Sequence, residues 1–279
     1  MSRKLAIFAG EGQLVLEVAQ AALAAGWELQ IFLLVARNDL EELPLVEVRL
    51  TNPLKVVMSL RKFRPTHICM AGAVNISDHE REGIFGFLKR KPKNGHSSGD
   101  TGLSRLIGAL EMISGAKVIG VHEIIGDLIA PDGLIAGPEL NREQIKNCLY
   151  ALGVARKIGE IDVGQAVVVA GHRVIGAEDI AGTDALIARV KGFVEQGKTG
   201  NGRDMLVLAK AKKPQQPAVA DLPAIGPDTI NNAHQAGIGI IALDAGNSLL
   251  IEKARLIALA NELGISVFGA RPDDDQAKS

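Results

Sequence analysis

The residues best suited to chemistry lie in the second half of the chain, where acids and lysines sit at the ends of short apolar runs. Asp162-Val163-Gly164-Gln165 leads into one such run, and Glu178 closes the next. Gly182-Thr183-Asp184 opens a helical pattern, Lys210-Ala211-Lys212-Lys213-Pro214 ends another apolar run, and Asp221-Leu222-Pro223-Ala224-Ile225-Gly226-Pro227-Asp228 leads into a further helix. Such a set suits a metal-plus-phosphate site. Hard carboxylate oxygens hold Mg2+, which combines one or two protein carboxylates with phosphate oxygens. Lysines offset the charge that phosphate brings. Glu178, Asp221 and Asp228 are the candidate Mg2+ ligands by type and placement, and Thr183 is a candidate N-cap or anion contact. Each acid has an ordinary alternative. Asp184 and Asp228 complement helix dipoles as first-turn acids, Asp221 is an exposed loop charge, and Glu178 pairs with Arg173.

Other motifs carry less. Gly10-Glu11-Gly12 follows the first apolar run, where backbone N–H groups can approach a phosphate or sugar. The third glycine of a dinucleotide fingerprint is replaced by Val15, and the second run ends in Val35-Ala36-Arg37 without an acid for the ribose, which argues against NAD. Residues 192–199 match a phosphate-binding loop letter for letter, but Leu186, Ile187, Val190 and Val194 have helical spacing, so this glycine continues a helix. His122-Glu123 stands alone at a strand end, and no Ser-His-Asp or Cys-His set accompanies it.

These residues need strands and helices to position them. Apolar runs at 4–9, 29–35, 46–50, 67–71 and 117–121 alternate with helical patterns at 14–25, 54–63 and 103–113. This alternation predicts a mostly parallel sheet with helices on both faces. Pro131-Asp132-Gly133 and Gly137-Pro138 then break the pattern, so a first domain is placed at 1–133 and a second at 139–272. The second reads as mixed α/β: helices at 142–158, 183–195, 228–236 and 253–263, a hairpin of 167–169 and 173–177, and strands at 205–209, 238–243, 248–251 and 265–269. At ~150 residues per domain, 279 residues accommodate two. A formal charge of -1 and 3% aromatic content argue against a nucleic-acid partner. Cys69 and Cys148 read as buried thiols of a reducing compartment, and the chain is read as cytoplasmic.

Taken in order, the motifs resemble those of the UDP-2,3-diacylglucosamine pyrophosphatases of lipid A biosynthesis, of the LpxI type. The likeness runs through Gly10-Glu11-Gly12, Met70-Ala71-Gly72, Gly99-Asp100, Val121-His122-Glu123, Leu128-Ile129-Ala130-Pro131-Asp132-Gly133, Asp162-Val163-Gly164-Gln165, Gly182-Thr183-Asp184, Lys210 to Pro214, Asp221 to Ile230 and Asp244-Ala245-Gly246. The resemblance implies two α/β domains joined by a short linker, the first Rossmann-like and the second mixed, with substrate held between them. It implies Mg2+-dependent hydrolysis of the UDP-2,3-diacylglucosamine pyrophosphate to UMP and 2,3-diacylglucosamine 1-phosphate. Asp221 is then the essential carboxylate, as metal ligand or as base for the water. Gln165, Thr183, Asp184, Lys210 and Lys213 contact the substrate, and Gly10, Gly12 and Gly72 line the first-domain side. A peripheral contact with the inner membrane and a homodimer are left open. The alternative is a diverged or non-catalytic nucleotide-sugar or lipid-phosphate binding protein on the same scaffold.

Overall fold

The computed structural model describes residues 3–48, 52–73, 99–199, 205–214, 219 and 222–272. They divide into two compact units: residues 1–126 with 217–221, and residues 127–216 with 222–279.

The first unit alternates β1 (Lys4–Ala9), α1 (Leu14–Ala24), β2 (Glu28–Leu33), β3 (Leu45–Glu47), α2 (Pro53–Phe63), β4 (His67–Ala71), α3 (Gly99–Ser114), β5 (Lys117–Ile119) and the single turn α4 (Val121–Ile124). The five strands form one parallel sheet in the order β3-β2-β1-β4-β5. Leu5, Ala6, Ile7 and Ala9 of β1 are fully buried, the continuous apolar run of a strand covered on both faces. Phe8 stacks on Phe32 at 5.0 Å between ring centres, within a core that Leu60, Ile68, Leu110 and Val118 complete and Val219 packs against.

The second unit contains β6 (Gly133–Ala136), α5 (Arg142–Glu160), β7 (Ala166–Ala170), β8 (Arg173–Ala177), α6 (Gly182–Glu195), β9 (Leu206–Lys210), β10 (Ala224–Ile225), α7 (Pro227–Gln235), β11 (Ile238–Asp244), β12 (Leu249–Leu250), α8 (Lys253–Leu263) and β13 (Ser266–Ala270). Its main sheet has the order β6-β13-β11-β9-β7-β8. β9, β11 and β13 run parallel, and β6, β7 and β8 are antiparallel to their neighbours. Alternate side chains serve two separate cores. Val168, Leu208 and Ile241 meet α6, α7 and α8 through Leu186, Ile187, Ile230 and Leu256, while Val167, Val207 and Ile240 meet α5 through Leu149 and Leu152. Asn141 caps α5, accepting from the Gln144 backbone N–H as the Gln144 side chain accepts from the Asn141 N–H, each at 2.9 Å.

Three boundaries differ from the sequence reading. The break expected between 133 and 139 falls at Gly126–Asp127, because residues 133–136 form β6 and pair with β13. The expected breaker Gly137 is packed into the second unit: a Cβ there would strike the Ile265 carbonyl, and its N–H donates to Asn261 Oδ1 at 2.7 Å. The 248–251 strand, read as flanking the 245–247 turn opposite β11, shortens to β12 and pairs in parallel with β10. Val121, expected to end β5, starts α4, whose Glu123 accepts from the Gly120 N–H at 3.0 Å. The 192–199 match falls as expected, with Gly192 inside α6.

Burial pushes the Cys69 and Cys148 thiols up to about 12. At pH 8 a disulfide reagent is expected to label neither cysteine in the folded protein and both after denaturation; fast labelling of the native protein would contradict this burial.

Candidate functional site

The buried charged groups Lys210, Asp244 and Glu178 of the second unit lie at one edge of its sheet, where β9 and β11 end, β7 begins and β8 ends. The interior of the sheet is apolar, so charged side chains appear where the strands stop. Lys210, last in β9, is 6% exposed, and its Nζ donates to the Ala224 carbonyl at 3.0 Å. Asp244, last in β11, is 4% exposed and accepts from Arg156 Nη2 at 3.0 Å. Arg156 comes from α5, whose packing on the sheet carries its guanidinium to the end of β11. On the loop entering β7, Lys213 donates to Asp162 Oδ1 at 2.6 Å, and Asp162 adopts a positive φ of 57°.

Glu178, just after β8, is 7% exposed. Its Oε2 accepts from the Gln165 backbone N–H at 2.7 Å, and its Oε1 accepts from the Thr183 hydroxyl at 2.6 Å. The expected pairing with Arg173 is not made; Arg173 Nη2 instead donates to Thr199 Oγ1 at 3.4 Å. Asp179 accepts from the Ala181 N–H at 2.9 Å and pairs with Arg189 at 3.0 Å. The Ala181 bond and then Arg189 hold the Asp179 carboxyl below the usual range. These bonds fix the approach to α6, whose first turn carries Thr183 and the exposed Asp184. Asp184 accepts from Asn232 Nδ2 of α7 at 3.3 Å. The Ala224 carbonyl that Lys210 reaches lies two residues before Gly226, the N-cap of α7. The starts of α6 and α7, with their partial positive charge, thus meet this edge alongside Lys210.

The expected contacts Gln165, Thr183, Lys210 and Lys213 therefore all lie along this edge, Gln165 and Thr183 joined through Glu178. Asp184 and Asp228 are exposed first-turn residues. Asp221 lies outside the described residues. Among the described residues no three of His, Cys, Asp and Glu are grouped to hold a metal ion. Glu178 presents both oxygens to N–H and O–H donors, and Asp228 lies exposed on the first turn of α7. The described residues do not fit a protein-built Mg2+ site, and no chemical step is derived through one.

In the first unit, Gly10, Gly12 and Gly72 form one structure. Gly10 N–H donates to the Ala71 carbonyl at 2.9 Å, and Glu11 and Ala73 exchange backbone bonds at 2.7 and 3.0 Å. Gly72 has φ +84°, and a Cβ there would strike the Glu11 carbonyl. Arg37, beyond the end of β2, donates from Nη1 to the carbonyls of Gly10 and Gly12, both at 2.8 Å. Its Nε donates to Asp39 Oδ1 at 2.9 Å, and this hydrogen-bonded guanidinium holds the Asp39 carboxyl below the usual range. Gly72 is thus required by close packing, while Gly12 faces open space. Sequence reasoning noted Arg37 only as the lack of an acid and missed Arg156. The lone arginine at a strand end was the available signal for the first; nothing local marks the second.

Sheet edge, helix starts and buried lysine define an α/β protein whose candidate site gathers positive charge at one end of its second sheet. Family models match both halves: the LpxI N-terminal domain over residues 4–128 and the LpxI C-terminal domain over residues 131–268. The UDP-2,3-diacylglucosamine pyrophosphatase LpxI of Caulobacter vibrioides is 33% identical, covering 98% of this chain and 99% of its own. The chain belongs to the LpxI family. Among solved structures, a UDP-glucose 4-epimerase of Thermus thermophilus in complex with NAD matches at TM-score 0.29 and 20% identity, over 50% of this chain and 41% of that one. A putative epimerase of Burkholderia cenocepacia matches at TM-score 0.29 and 14% identity, over 99% of this chain and 91% of that one. Likenesses at that level establish neither fold nor function.

Two stability predictions separate packing from ligand contact. Gly72→Ala is expected to cost roughly 3 kcal/mol, combining left-handed backbone strain with overpacking. Arg156→Met is expected to cost about 3 kcal/mol, because Asp244 stays buried without its counter-ion. Urea denaturation reads both, and a loss below about 0.5 kcal/mol in either would refute its packing argument.

Proposed function

We propose that the protein hydrolyses the pyrophosphate of UDP-2,3-diacylglucosamine, releasing UMP and 2,3-diacylglucosamine 1-phosphate. The observation that carries this is kinship along the whole length, 33% identity over 98% of the chain to a pyrophosphatase so named. The chemistry of the sheet edge agrees with it. A pyrophosphate crowds negative charge around the attacked phosphorus, and Lys210 and the starts of α6 and α7 offer fixed positive charge there. Water oxygen bonds to one phosphorus while the bridging oxygen leaves with the other, and the water's protons pass to solvent and product. Asp221 is proposed as the essential carboxylate, on the resemblance of its Asp-Leu-Pro-Ala-Ile-Gly-Pro segment. Among the described residues no helix is long and apolar enough to cross a membrane. A lipid-linked substrate implies a peripheral contact with the membrane, which we propose together with a cytoplasmic location.

The test is UMP release from UDP-2,3-diacylglucosamine by purified protein, with Mg2+ and with chelator, beside Asp221→Ala. Release is expected to depend on Mg2+ and to fall at least ~100-fold in the folded variant. Release within about tenfold of wild type would remove Asp221 from the chemistry. No release by folded wild type would leave a binding protein on the same scaffold.

A further inference from the structure

We propose that Glu178 is a positioning residue, which fixes Gln165 and Thr183 to receive a hydroxyl or amide N–H of the sugar, and is not a metal ligand. The inference rests on the nucleotide-sugar reading and extends it to the sugar. Glu178 is held on every side. Its N–H donates to the Ala166 carbonyl at 2.8 Å. Gly164 lies so close that a Cβ there would fall 2.6 Å from the Glu178 carbonyl oxygen. Its carboxylate then ties the Gln165 backbone, before β7, to the Thr183 hydroxyl, in the first turn of α6. One side chain thereby joins the entry to β7, the end of β8 and the start of α6.

The choice of residue is costly for mere packing. A buried carboxylate without a cation must be compensated entirely by hydrogen bonds, and among the described residues no lysine or arginine pairs with Glu178. The arrangement has a directional result. The hydroxyl proton of Thr183 points to Oε1, so the lone pairs of Oγ1 remain to accept a bond. Gln165 Oε1 is buried with no partner among the described residues, an acceptor awaiting a donor. Ionised phosphate oxygens have no proton to give these two groups. A sugar hydroxyl or the 2-acylamide N–H does. Gln165 and Thr183, expected from the resemblance to contact the substrate, are thus assigned to the sugar, leaving the phosphates to Lys210 and the helix starts.

Glu178→Gln tests this, because its NH2 end cannot accept from the Gln165 N–H or the Thr183 hydroxyl. For UMP release, KM is expected to rise about tenfold, with kcat changed less than about threefold and Mg2+ half-saturation unchanged. A raised Mg2+ half-saturation with KM retained would make Glu178 a metal ligand and overturn the proposal. Unchanged kinetics would also overturn it. Thr183→Val is expected to reproduce the rise in KM and Thr183→Ser to restore it, so the proposal stays testable if Glu178→Gln folds poorly. Calorimetric titration with N-acetylglucosamine 1-phosphate and with inorganic phosphate keeps the inference apart from the activity. Wild type is expected to prefer the sugar phosphate, and Thr183→Val to lose that preference. Equal preference in both proteins, or none in wild type, sinks the assignment whether or not UMP is released.

Discussion

The constraint on which the second unit depends is that its sheet is apolar on both faces. β7, β9 and β11 are covered by α5 on one side and by α6, α7 and α8 on the other. Every charged group in these strands is pushed to an end. Lys210 and Asp244 are both last in their strands, and each is buried. Charges in that position are desolvated and must be satisfied. Arg156 reaches up from α5 to Asp244, and Lys210 meets a carbonyl. The site is therefore a product of the core: the helices that close the hydrophobic layers also bring their starts and one arginine to the same edge.

The first unit solves a related problem with backbone. Its central strand β1 is flanked by β2 and β4, and the turn after β1 must pass between their ends. Arg37 ties that turn to the end of β2 through two carbonyls, and Ala71 and Ala73 tie it to the end of β4. The Gly10 and Glu11 N–H groups face β4, so a phosphate would have to meet the turn at or beyond Gly12. This is a narrower opening than the glycine pattern alone suggests, and it accounts for a turn that looks like a dinucleotide site without its third glycine.

Most elements were legible because their signals are local. Continuous apolar runs marked β1 and β4, paired short runs at 167–169 and 173–177 marked the β7–β8 hairpin, and helical spacing exposed the false phosphate loop at 192–199. What was not legible depends on distant pairing. β6 is four residues that become a strand only because β13 lies beside them, and β10 and β12 are two-residue strands that exist as a pair. In the candidate site, residue types and strand-end positions pointed to Thr183, Lys210 and Lys213, and the family resemblance to Gln165, but neither pointed to their bonding. Glu178 read as a Mg2+ ligand or a partner of Arg173, since nothing local says that a backbone N–H thirteen residues earlier will occupy it. Arg156 sits on an ordinary helix and acquires meaning only across 88 positions.

The close backbone contacts at Gly72, Gly164 and Gly269 also bear on how such a chain changes over generations. In each, a glycine lies against a carbonyl of another segment: Glu11, Glu178 and Pro131 respectively. Every single-base change that replaces glycine introduces a Cβ into that contact. Drift at these codons must therefore wait for a shift in the opposing segment. Two of those opposing segments, the 10–12 turn and the Glu178 clamp, lie beside the residues proposed to meet substrate. New substrate preferences would then arise more readily by exchanging exposed residues such as Asp184 or Asp228 than by remodelling the turns beneath them.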